Sequence, residues 1–528
     1  MHTSRAVPVA APGGTPRTRV APTAPLVGFV AAMLVALGST GPSLWTDEAA
    51  TISASTRSLG DLWRMAGTID AVHTTYYLVM HAWMAIFGTS ELALRSMSAI
   101  AVGVAAAGTY VLGARLGSTR LGLWSAAVFV LLPRVAWMGI EARPFALATA
   151  AGVWATVVLV IALDRRRGRW WAAYGALVAA AVLLNLYLVL LVLAHAVTLW
   201  PSSVQRARAL LPWVVSTAAG LAATVPMVLV ALGQQGQIGE SQPGLLGLAR
   251  NVLVNQWFLG ETPTIYSRTL PPVQPALSWE TAWRPASVAL AALALAVVVA
   301  AGIDVLRRRT RPGPPTALVR WTGPWVVVPT LVLAAYAFVS DTYSPRYLAF
   351  ASPAVAILLA AALLRLRRTW IRVTATALLV VLVVPVVWSQ RTENAKSGAD
   401  WRQVAAYIDD RAEPGDGIYF APRRPSGSEE ERLTTRGIAV AYPAPFGTLV
   451  DLTIERTPAQ SGDLTGRSRA LAASADQIEL VDRIWVVRRH DYPESARRAD
   501  DALLAAEGFV RTADWQGPLD EVVTFAQP

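Results

Sequence analysis

The chain has no cysteine, little charge and no recognisable nucleotide-binding loop. Without cysteine it can form neither disulfides nor Cys-ligated zinc sites, and it has no thiol nucleophile. No glycine-rich phosphate loop of the Walker type occurs and no dinucleotide fingerprint precedes a helix, so ATP and nucleotide sugars are poor candidate substrates. Charged residues make up 15% of the chain against 54% hydrophobic ones, and the mean hydropathy is +0.42. A soluble protein carries roughly a quarter charged residues, so this composition describes a polytopic membrane protein. The net charge of +11 does not indicate nucleic acid, because the basic residues fall mainly in short runs between apolar segments. Such a pattern sets topology.

A helix crosses the hydrocarbon with about 20 mainly apolar residues. About eleven such spans are predicted, near 22–40, 92–114, 121–139, 145–163, 170–184, 187–201, 209–232, 285–305, 318–339, 347–364 and 370–388. The apolar run Tyr76 to Phe87 is too short to cross and reads as interfacial. With it on the surface, the strongly basic loops at Arg115/Arg120, Arg165–Arg169, Arg206/Arg208, Arg307–Arg309 and Arg365–Arg368 all face the cytoplasm. Letting it cross would invert every later loop, against the positive-inside rule.

Three domains follow. Residues 1–21, rich in Pro, Ala and Arg, read as a disordered cytoplasmic tail. Residues 22–389 form the transmembrane domain, with a first outer loop at 41–91 and a long one at 233–284. Residues 390–528 are polar and punctuated by turns, which predicts a soluble extracytoplasmic α/β domain. There, helices are expected at Val404–Asp410 and Ala496–Ala506, strands at Ile418–Phe420, Gly437–Tyr442 and Ile484–Val487, and polar loops at Pro422–Glu431 and Thr457–Ser468.

The outer face collects the residues capable of chemistry. Two adjacent acids stand in Trp45-Thr46-Asp47-Glu48 after the first span. Acids at that depth are costly unless paired or facing water, and they mark a site by default; the alternative is a helix cap by Thr46 or Asp47. Asp70 and His73 follow on the approach to the surface segment, and Arg95, Arg143 and Arg346 lie near the outer ends of three spans. Such arginines either snorkel to the interface or hold an anion such as phosphate in forked hydrogen bonds. His81 and His195 sit in apolar stretches and read as structural, and Tyr76, Tyr77 and Trp83 fit an interfacial aromatic belt.

The layout resembles that of GT-C superfamily glycosyltransferases, in particular the polyprenyl-phosphate-sugar-dependent branch of protein O-mannosyltransferases and aminoarabinose transferases (glycosyltransferase family 39-like). The resemblance rests on Trp45-Thr46-Asp47-Glu48-Ala49, Tyr76-Tyr77-Leu78 through Phe87-Gly88 with Glu91-Leu92-Ala93-Leu94-Arg95, Glu141-Ala142-Arg143-Pro144-Phe145, and Arg346-Tyr347, in this order. It covers most of residues 25–390.

The resemblance implies a polytopic α-helical GT-C fold and transfer of a sugar, mannose first, from a polyprenyl-phosphate donor to a glycolipid, polysaccharide or protein acceptor with inversion. Asp47 would be the general base and Glu48 the alternative, a modestly raised pKa suiting that task. Arg143, Arg346 and Arg95 would bind the donor phosphate, and Asp70, His73 and Tyr347 would contact substrate. No cofactor is called for: the acids and His73 could ligate a divalent metal, but no spacing enforces a geometry. Membrane lipids are the other partner, and nucleic acid is not. A polytopic transporter or lipid flippase is the competing reading, although no internal repeat supports it.

Overall fold

The computed structural model describes residues 23–200, 204–234, 244–260, 281–307, 314–339, 343–422 and 434–528. The expected tail at 1–21, residues 423–431 of one expected polar loop and parts of the 233–284 loop lie outside the described residues.

Each of the eleven apolar runs is helical over much of its length. The helices of the first half are α1 (Thr23–Ala36), α2 (Thr46–Ser55), α3 (Leu59–Ala66), α4 (Thr74–Phe87), α5 (Glu91–Leu116), α6 (Thr119–Leu131), α7 (Pro133–Met138), α8 (Phe145–Arg165), α9 (Gly168–Leu184) and α10 (Val189–Leu199). The second half adds α11 (Val204–Ala222), α12 (Val225–Leu232), α13 (Leu245–Arg250), α14 (Gln256–Phe258), α15 (Trp283–Arg307), α16 (Pro314–Tyr336), α17 (Ser352–Arg365) and α18 (Thr369–Ser389).

Six helices among the described residues are long and apolar enough to cross a membrane, and α11 with α12 makes a seventh candidate bent by 53°. Four shorter apolar helices cover the remaining runs. The run 121–139 is not one straight span: Pro133 starts a new helix, because a proline ring disfavours a helical residue before it, and Leu132 is extended. Tyr76 to Phe87 falls within the 14-residue α4, which is not among the spanning candidates.

Close helix contacts come from small residues. A Cβ on Gly28 of α1 would press into the carbonyl oxygen of Gly103 on α5, so the two backbones touch only because both positions are glycine. Ser90 and Ser118 cap α5 and α6 by accepting hydrogen bonds from Ala93 N and Leu121 N.

The C-terminal region carries a five-stranded mixed sheet in the order β2-β1-β5-β7-β6. Its strands are β1 (Gly417–Ala421), β2 (Val450–Asp451), β5 (Arg483–Arg489), β6 (Val510–Gln516) and β7 (Asp520–Ala526), while β3 (Ile454–Arg456) and β4 (Arg467–Ser468) form a separate pair. The helices of this region are α19 (Trp401–Asp409), α20 (Gly437–Ala441), α21 (Pro458–Ser461), α22 (Ala475–Ile478) and α23 (Glu494–Ala506). Gly437–Tyr442, expected as a strand, is helical over α20 and packs beside α2 and α19. The expected loop at Thr457–Ser468 contains α21 and β4.

Candidate active site

Asp47 and Glu48 occupy the first turn of α2, where the helix dipole favours negative charge. Neither caps the helix: Trp45 stands at the cap and makes no side-chain bond. Neighbouring residues on a helix diverge by about 100°, so the two carboxylates face different surroundings. Asp47 is partly exposed, whereas Glu48 is fully buried.

Asp47 meets two arginines from distant elements. Pro345 opens a 3-10 turn before α17 that presents Arg346, and Arg346 Nη1 donates to Asp47 Oδ2 at 2.7 Å. Arg143, in the loop before α8, places Nε 3.7 Å from the same oxygen. Arg143 is itself held from behind: Nη1 donates to Tyr77 Oη at 3.2 Å and Nη2 meets His73 Nε2 at 3.0 Å. Tyr77 in turn donates to Asp70 Oδ2 at 2.8 Å. Asp70 sits in the left-handed region with φ of 56°, a conformation that a short polar side chain tolerates. Asp47, Arg143, Arg346, His73, Tyr77 and Asp70 therefore form one continuous polar chain.

Burial alone would raise the Asp47 pKa. Arg143, then Arg346 and His73, outweigh it and hold the carboxyl at about 2. The modestly raised value expected of a base is not present in this arrangement. Burial and the neighbouring Arg143 lower His73 to about 4, so its ring is neutral at working pH and Nε2 accepts the Arg143 proton.

Glu48 and Arg95 differ from expectation. Arg95 has no exposed side-chain surface, and both of its forks are filled. Nε and Nη2 donate to the two Glu48 oxygens at 2.8 and 2.7 Å, and the remaining protons reach the carbonyls of Ser39, Pro42 and Ser43. No donor group remains to face a phosphate, so Arg95 ties the first outer segment together instead. Glu48 also accepts from Ala142 N at 3.0 Å and lies 3.3 Å from Lys396 Nζ. Burial raises its pKa, but Arg95 and Lys396 outweigh it and leave the value lowered. Glu48 is thus a poor alternative base. Among the described residues no three His, Asp or Glu side chains converge as a metal site would require.

Tyr347 stacks on Tyr187 with ring centroids 4.9 Å apart, and the Arg346 guanidinium lies 5.9 Å from the Phe145 ring centre. Aromatic surface therefore flanks Arg346.

Two buried groups were not anticipated. Glu141 is fully buried with no hydrogen-bond partner on either oxygen, and burial raises its pKa to about 7. Lys396, also fully buried, points its ammonium at Trp137, 4.3 Å from the ring centre. One signal for Lys396 was in the sequence: it is the only lysine among 46 Lys and Arg residues.

Residues 74–230 match the family model described as dolichyl-phosphate-mannose-protein mannosyltransferase. No sequence among the curated proteins matches the chain. The structure is similar to two crystal structures of ArnT from Cupriavidus metallidurans, one in the apo state and one bound to undecaprenyl phosphate. Both align over 94% of this chain and 97% of their own at 12% identity, with TM-scores of 0.55 and 0.54. Residues 74–230 therefore carry the sequence pattern of the dolichyl-phosphate-mannose-protein mannosyltransferase family model, and the chain as a whole has the fold of the ArnT structures.

Proposed function

We propose that this GT-C glycosyltransferase moves a sugar from a polyprenyl-phosphate donor to an acceptor hydroxyl on the outer side of the membrane, with inversion and with Asp47 as general base. The observation that carries this reading is the meeting of Asp47, Arg346 and Arg143 at one oxygen. Two guanidinium groups beside one partly exposed carboxylate suit a phosphate leaving group next to a base. Arg143 and Arg346 stabilise the charge that grows on the phosphate as the glycosidic bond breaks. Arg95 leaves the phosphate set for the reason given above.

The ion pairs give the base a specific sequence of events. While both arginines face Asp47, its carboxylate is a weak base. A donor phosphate draws the guanidinium groups toward itself, and Asp47 then regains basicity as the acceptor hydroxyl arrives. The hydroxyl oxygen attacks the anomeric carbon, the carbon–oxygen bond to phosphate breaks, and the hydroxyl proton passes to Asp47. Asp70, His73 and Tyr77 keep Arg143 aimed, and Tyr347 lines the substrate side. The prenyl tail lies against apolar helices. An apolar cleft walled by Trp124, Leu132, Pro133, Phe258, Leu363 and Val383 is suited to part of it.

Mannose is the first choice of sugar, supported by the family description, and a pentose such as arabinose is second. The proposed topology has eleven spans, a cytoplasmic N-terminus and the domain from residue 390 outside. It is supported by the apolar helices and by the basic loops, all assigned to one side. Membranes incubated with labelled polyprenyl-phosphate sugars test the reading. Wild type transfers label and Asp47→Ala does not; label moved across vesicles without transfer favours a transporter.

A further inference from the structure

The nine residues between α1 and α2 lead directly to Asp47, yet they form no regular structure. Such a segment satisfies few of its own carbonyls. Arg95 takes those of Ser39, Pro42 and Ser43, and the connector between α18 and the C-terminal domain takes those of Leu37, Thr40, Gly41 and, shared with Arg95, Pro42.

Arg391 donates to the carbonyls of Val35 and Leu37. Ser43 N donates to Glu393 O at 2.9 Å. Lys396 pairs with Glu48, and Arg402 reaches the carbonyls of Thr40, Gly41 and Pro42 while forking onto Glu91. The C-terminal domain adds Tyr442, whose hydroxyl accepts from Leu44 N at 2.8 Å and donates to Glu91 Oε1 at 2.5 Å. A Cβ on Gly41 would meet the Arg391 carbonyl oxygen closer than any real Cβ does, so the two segments touch backbone to backbone.

We propose that the connector Arg391–Arg402, together with Tyr442, sets the pose of Asp47 against Arg143 and Arg346, with Lys396 and Arg402 as positioning residues. This rests on the proposed function for what the pose is used for, but not for the clamp itself. The single lysine is intelligible here. Its ammonium sits between the Trp137 and Trp45 rings, 4.3 and 5.8 Å from their centres, beside Glu48. A compact point charge fits that space, whereas a planar guanidinium needs room for its fork. The C-terminal domain thereby acts on the reaction without supplying a reacting atom.

The experiment compares the full-length protein with Tyr442→Phe, Lys396→Arg, Lys396→Met and Gly41→Ala, and uses Arg511→Gln on the exposed edge strand as control. Three quantities are measured: kcat and donor KM, affinity for polyprenyl phosphate alone, and hydrogen exchange across residues 37–55. The clamp predicts kcat lower by roughly ten-fold from misplacement of the base, with donor KM and polyprenyl-phosphate affinity unchanged and exchange at 37–55 accelerated. Lys396→Arg does not rescue, and Arg511→Gln behaves as wild type. Lower kcat with unchanged exchange, or faster exchange with wild-type kcat, overturns the proposal. A wild type inert to every polyprenyl-phosphate sugar overturns the proposed function alone. Exchange then decides the clamp: acceleration supports it and wild-type exchange overturns it.

Discussion

Arg346 donates to Asp47 across 299 positions of sequence, at 2.7 Å. The same carboxylate oxygen lies 3.7 Å from Arg143. An acid so placed stays ionised far below neutrality, and the pair fixes what each partner does when a phosphate competes for it.

The pH dependence follows from the sign of this shift. A carboxyl lowered to about 2 stabilises the fold above its unfolded value of 3.8, and this is lost as pH falls through about 2. In catalysis, the acid limb of kcat/KM reports the free enzyme and lies near the lowered value. The limb of kcat reports the donor complex and shifts upward as the arginines turn to phosphate. Profiles of both constants check this; coincident limbs would mean that donor binding leaves Asp47 unchanged.

Arginine substitutions separate two tasks. Arg346→Gln and Arg143→Gln are expected to fold normally and to lower kcat/KM by roughly 10²–10³, as loss of a preorganised donor does. Arg95→Gln removes one partner of a fully buried pair and costs about 3–5 kcal/mol in stability. Its signature is reduced folded protein by size-exclusion chromatography, whereas the other two variants elute as wild type.

Glu141 provides a stability prediction of the opposite sign. Its pKa rises from 4.5 to about 7 on burial, so the folded chain binds a proton that the unfolded chain releases. Stability therefore falls as pH rises from about 4.5 to about 7, by up to about 1.4 kcal/mol per pH unit. Thermal melts in detergent at several pH values should show this slope, and Glu141→Gln should flatten it.

The apolar runs revealed the helices because a bilayer demands continuous apolar length, a signal that one chain carries unaided. Pro133 was visible as well, but its consequence, a new helix inside an expected span, depends on packing. Gly437–Tyr442 departs from the expected strand because a short buried apolar run has no period that distinguishes strand from helix. The acid pair and the two arginines at 143 and 346 were legible from their depth and charge. Arg95 was not: depth places a guanidinium near the interface but says nothing of whether carbonyls or an open cleft face it. The contact of Lys396 with Glu48 spans most of the chain, and only the rarity of lysine pointed to it.

The central claim is that Asp47 takes the acceptor proton. The direct measurement is single-turnover transfer of labelled sugar from a polyprenyl-phosphate donor by wild type and Asp47→Asn, with binding of polyprenyl phosphate measured in parallel. The account predicts transfer lowered by roughly 10²–10⁴, the contribution of a positioned base, with binding retained or strengthened because the arginines lose their competing anion. Transfer at the wild-type rate by Asp47→Asn would contradict it.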